Sequence, residues 1–208
     1  TALKSRFRIL RYDTRGHGGS DVPDGPYRLD ELVADAVALM DALAIRQVHF
    51  VGLSMGGMIG QGIALAYPDR LLSLCLCSTS ARIPQEAQPV VQERIDTASK
   101  EGLQALVDGT LARWFTPGYL KTKPPEAERI RRQFLATPVA GYVGCTEAIR
   151  RLDYLEQLPR ITLSTLIIVG EDDPGTPVSA SRAMHERIAG SKLVIIPSAM
   201  HLCNIERT

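Results

Sequence analysis

Short apolar runs along this chain alternate with stretches in which apolar residues return every three to four positions. From Leu29 to Leu43, Leu32, Val33, Ala36, Val37, Met40 and Leu43 form one stripe beside Asp30, Glu31, Asp35 and Asp41, which predicts an amphipathic helix. "VHFVGL" predicts a buried strand, "GMIGQGIALAY" a helix stopped by Pro68, and "LLSLCLCST" a strand covered on both faces. Upstream, "RFRILRYD" (Arg6 to Asp13) predicts a further strand that ends in the glycine-dense turn "TRGHGGSD". Downstream, "STLIIVGEDD" and "KLVIIP" predict two more strands. Between them Thr176 and Pro177 read as N-cap and first residue of a helix over "VSASRAMHERIAG", ended by Gly190. Strands and helices in this alternation imply a parallel sheet, the α/β class.

The rhythm breaks between about residues 83 and 159. There, prolines at 84, 89, 117, 124, 125 and 138 punctuate helical pieces such as "VVQERIDTASKEGLQALVDGTLARWF" and "PEAERIRRQFLA". The expected organisation is a core in two parts, 1–82 and 160–208, interrupted by a helical cap over 83–159.

Composition narrows the function classes. The 208 residues include 24 Lys plus Arg, 23 Asp plus Glu and 45% hydrophobic residues, with a net charge of +1. That balance fits one globular domain and gives no electrostatic reason to expect nucleic acid or an anionic membrane as partner. No apolar run approaches the ~18 residues of a membrane span, and no charged-then-apolar leader opens the chain, so a cytoplasmic location is expected. Cys75, Cys77, Cys145 and Cys203 are too few and too irregular for a disulfide framework or a zinc site, and read as reduced thiols.

The chemistry centres on "GLSMGG". Gly52, Ser54 and Gly56 form G-x-S-x-G between a predicted strand and a predicted helix, the setting in which a serine hydroxyl is thrust out on a sharp turn. Glycines on both sides would let the backbone turn tightly, and the amide of Met55 would face charge developing on a substrate oxygen. A serine needs a base and an orienting acid. Of four histidines, His17 lies in a turn, His49 in a strand and His185 on a charged helix. His201, in the loop after the last predicted strand, is the candidate base. Glu171, Asp172 and Asp173 crowd the C-terminal end of a strand, where α/β sheets collect functional groups. Serine, acid, histidine is the chain order of the α/β hydrolases.

"YDTRGHGGSD", "GLSMGGMIGQGIALAYPDR", "GEDDPGTPV" and "AMHLCNIE" resemble successive signature segments of the α/β-hydrolase superfamily, and most resemble its β-ketoadipate (3-oxoadipate) enol-lactonases. Those are cytoplasmic bacterial enzymes of aromatic-compound breakdown. The resemblance implies an acyl-serine hydrolase with Ser54 as nucleophile, His201 as base and no cofactor. It also implies Asp173 as acid, because the family's acid falls three residues after the glycine, here Gly170. An enol-lactone with a free carboxylate calls for a cation, which Arg82, Arg113 or Arg132 could supply. Trp114 is a candidate to pack on the substrate. "HGG" at 17–19 would be an alternative oxyanion loop. The family has three strands ahead of the point where this chain opens, the third lying between the strands predicted at 6–13 and 48–53. The resemblance thus implies a longer chain or a second polypeptide completing the sheet. A general carboxylesterase, a haloperoxidase-like hydrolase or a non-catalytic receptor on the same fold are the competing readings.

Overall fold

The computed structural model describes residues 3–207. Four parallel strands, β1 (Val48–Leu53), β2 (Leu71–Cys77), β3 (Thr165–Gly170) and β4 (Lys192–Ile196), lie side by side in chain order. Their registers pair Leu53 with Cys77, Cys77 with Ile168 and Gly170 with Ile196. All four strands therefore deliver the chain to the same edge.

Helices α2 (Met55–Ala66) and α8 (Val178–Arg187) pack on one face of the sheet, and α1 (Leu29–Ala42) packs on α2. Each contributes its apolar stripe to one core with the inward side chains Leu74, Leu76 and Ile167. The expectation that β1 and β2 are buried on both faces holds on that side only. Neighbouring side chains point to opposite faces of a strand, and Val51 is 65% exposed while Phe50 packs on the core.

Between β2 and β3 run α3 (Gln88–Glu101), α4 (Val107–Trp114), α5 (Pro117–Lys121), α6 (Pro125–Leu135) and α7 (Val139–Arg150). The prolines open these helices rather than interrupt them: Pro117 and Pro125 are first residues, where the missing N–H costs nothing. Gly102, at φ 77°, breaks the long predicted helix between α3 and α4. These helices enclose a second apolar cluster that also takes in Leu53 and Leu202 from the strand-bearing part.

Two local expectations are corrected. Residues 6–13 form no strand: they run as exposed irregular chain, because among the described residues no neighbouring strand satisfies their backbone groups. The turn that follows is nevertheless fixed. Arg15 donates two bonds to Asp35 of α1 at 2.5 and 2.7 Å, and Gly16 abuts Gly141 of α7 so closely that a Cβ on either would collide. Thr176 does not cap α8, whose N-cap is Pro177; its hydroxyl donates to Asp173 instead, at 2.6 Å.

Candidate active site

Ser54 sits between β1 and α2 with φ 53° and ψ −117°, a conformation that L-residues adopt only under strain. The close approach is made possible by Gly52, where a Cβ would lie 2.2 Å from the backbone of Gly56. Gly56 itself faces open space, and neither glycine has positive φ, so the serine carries the turn. The Ser54 carbonyl accepts from the Thr79 hydroxyl at 2.7 Å and from the Gly57 and Met58 amides. Among the described residues the Met55 amide donates to nothing and the Ser54 Oγ has no hydrogen bond.

Asp173 follows β3 and is 2% exposed. Its Oδ1 accepts from the amides of Gly175 (2.9 Å) and Thr176 (3.0 Å), and its Oδ2 from the Thr176 hydroxyl and from His201 Nδ1 at 2.8 Å. Burial pushes the carboxyl toward the neutral form, but the bonds from His201 and Thr176 outweigh it and hold the group below its ordinary range. Asp172 and Glu171, the other acids of the cluster, point elsewhere: Asp172 is exposed and Glu171 accepts from the Ser198 amide.

His201 comes back across the sheet in the loop after β4. Gly170 permits this, since a Cβ there would strike the carbonyls of Met200 and Ala199 at 2.3 and 2.4 Å. Beyond the histidine, Cys203 Sγ reaches 3.8 Å from the Oγ of Ser78, the residue after β2 and next to the Thr79 that holds Ser54. With Nδ1 committed to Asp173, the free nitrogen is Nε2. Asp173 and His201 are thus joined directly, while Ser54 shares their edge without a hydrogen bond to either.

Trp114, at the end of α4, lies against the His201 ring with centroids 6.5 Å apart and planes 18° from parallel. Phe134 and Tyr142 continue the aromatic row edge to face, at 5.8 and 5.7 Å. Of the three candidate cations, Arg82 pairs with Asp153 at 2.6 Å and Arg132 lies near Glu128 at 3.9 Å on the surface. Arg113 is half-buried, bonds only the Thr110 hydroxyl, and has no ion pair among the described residues. Burial and the nearby Arg94 charge both weaken its hold on its proton. Arg94, on α3, whose charge acts on both Arg113 and Tyr142, was not singled out by the sequence, and nothing along α3 alone marks it. At "HGG", His17 Nδ1 is 3.8 Å from Cys145 Sγ of α7, and the preceding Gly16 abuts Gly141 of the same helix. Among the described residues no cluster of His, Cys, Asp and Glu is arranged to hold a metal ion, and no helix is long and apolar enough to cross a membrane.

A strained serine at a strand-to-helix turn and a buried carboxylate–imidazole pair, collected on one edge of a parallel sheet, define an α/β hydrolase, and the sequence profile of the alpha/beta hydrolase fold matches residues 1–208. The chain belongs to that family. It is 37% identical over 205 residues to 3-oxoadipate enol-lactonase 2 of Acinetobacter baylyi, covering 99% of this chain and 76% of that one. The crystal structure of the enol-lactonase from Burkholderia xenovorans superposes with a TM-score of 0.95 at 41% identity, covering 99% of this chain and 78% of that chain. A malate-bound thermophilic esterase from Thermogutta terrifontis superposes with a TM-score of 0.91 at 30% identity over 99% of this chain and 76% of its own.

Proposed function

We propose that the chain hydrolyses a carboxylate-bearing enol-lactone of the 3-oxoadipate type through an acyl-serine. The observation that carries this is the buried Asp173–His201 bond at the sheet edge that also bears the strained Ser54. His201 Nε2 takes the Ser54 proton as Oγ attacks the lactone carbonyl, and the oxyanion is met by the Met55 amide. One such donor contributes about 3–4 kcal/mol to the transition state. The ring C–O bond then breaks, His201 returns the proton to the departing enol oxygen, and the enol tautomerises to the ketone. Water, deprotonated by His201, cleaves the acyl-serine and restores the hydroxyl. Serine–histidine hydrogen bonds are often long without substrate and tighten when it binds, so the open Ser54 Oγ is compatible with this cycle.

Support for the substrate class is twofold. Two relatives with enol-lactonase names exceed one-third identity, and Arg113 with Arg94 provides half-buried positive charge beside the aromatic row. The malate bound to the Thermogutta terrifontis esterase, itself a dicarboxylate, supports the same reading. A simple carboxylesterase is the second reading, favoured by the same esterase relative. The test compares the enol-lactone with neutral aryl esters on wild type and Ser54→Ala. Turnover of the lactone at higher kcat/KM, falling on the order of 10^6-fold in kcat for the variant, is expected. Equal or better turnover of the esters would replace the lactonase reading, and an active Ser54→Ala would end the acyl-serine one.

A further inference from the structure

We infer that Glu206 is a positioning residue that clamps the His201 loop to the Trp114–Thr116 segment of the helical insertion. The inference rests on His201 being the base.

Glu206, in the single turn α9 (Cys203–Glu206), is buried, and no cation pairs with it among the described residues. Both of its oxygens are nevertheless engaged. Oε1 accepts from the Thr116 amide at 3.1 Å and from the Thr116 hydroxyl, and Oε2 accepts from the Met200 amide at 3.1 Å. On the other side of His201, the Leu202 amide donates to the Trp114 carbonyl at 3.0 Å. The residues flanking the imidazole are therefore both fastened to one short segment, Met200 through Glu206 and Leu202 directly. That segment also carries the indole stacked on His201 and the fully buried Phe115. Arg207 adds a bond to the Ser198 carbonyl, where the loop takes φ 51°.

A carboxylate suits this place because it only accepts: two amides and a hydroxyl converge on it, and none has to be turned away. Glutamine would set an N–H against one of those donors and so release one side of the clamp. The consequence is mechanistic. Seating of the Trp114–Thr116 segment and alignment of His201 become one event, and a displacement of about 1 Å at the imidazole is enough to cost about 10²-fold in rate.

The test uses the rate of Ser54 labelling by a fluorophosphonate probe and acrylamide quenching of Trp114, the chain's single tryptophan. Melting temperature serves as the fold control. In Glu206→Gln, labelling about ten- to a hundredfold slower and a more quenchable Trp114, with melting within a few degrees of wild type, are expected. Thr116→Val should shift both readouts in the same direction, and Thr116→Ser should recover them by restoring the hydroxyl. Wild-type labelling and quenching in folded Glu206→Gln overturn the clamp; if that variant fails to fold, the same result in Thr116→Val does so. His201→Gln separates the two layers. Unimpaired labelling there removes the base assignment itself, whereas slow labelling there beside a wild-type Glu206→Gln removes only the clamp.

Discussion

At the scale of single residues, the two glycines around Ser54 have unequal tasks. The sequence presents them as symmetrical, because G-x-S-x-G reads the same from either side. In the fold, the left-handed conformation belongs to the serine, and only Gly52 sits where a side chain has no room. Gly52→Ala should therefore lose about 1–3 kcal/mol through overpacking against α2. Gly56→Ala, with nothing near its Cβ, should stay within about 1 kcal/mol of wild type. Urea denaturation of the pair measures the difference, and equal losses would show that both positions are packed. Ser54 and His201 stand out in the sequence because each follows a predicted strand, whereas the strand end before Asp173 offers three acids and only the family resemblance points to one of them. Thr176 was misread because its hydroxyl has two local choices, a helix amide or a carboxylate three residues back, and the charged acceptor wins. Asp173→Asn should therefore disturb more than charge: the amide can donate to His201 and favour the wrong tautomer, with a loss in kcat of about 10⁴-fold.

At the scale of elements, α1 could be read from its helical periodicity, the four strands from their short apolar runs, and α2 and α8 from the proline and glycine that bound them. Arg6 to Asp13 could not. Its pattern suits a strand, but a strand is defined by its partner, and the sequence does not show that none stands beside it among the described residues. Arg94 escaped notice for a related reason. On α3 alone it is one charge among several, and its significance comes from α4 and α7, which bring Arg113 and Tyr142 to it. If the pair receives a carboxylate, Arg94→Met and Arg113→Met should each raise KM for an anionic ester about tenfold, the scale of one charged hydrogen bond, and leave neutral esters unchanged. Parallel rises for both substrates would assign the arginines to packing.

At the scale of the whole molecule, the parallel register makes the active edge a property of the sheet rather than of any loop. That edge is also where the acid limb of stability has a traceable contributor. Asp173 is held below the ordinary carboxylate range of about 3.9, so the unfolded chain binds a proton there at pH values where the folded chain does not. Unfolding then takes up a proton, and stability rises with pH through that window. The contribution is fully present above the unfolded value and is lost as pH falls through the lower, folded one. In Asp173→Asn the group no longer titrates. Its urea midpoint should thus fall less steeply between about pH 5 and pH 2 than that of wild type, although the variant is less stable at pH 7. Parallel curves over that interval would mean that the buried carboxylate is not ionised in the folded protein, and with that the charge that orients His201 in the proposed cycle would be absent.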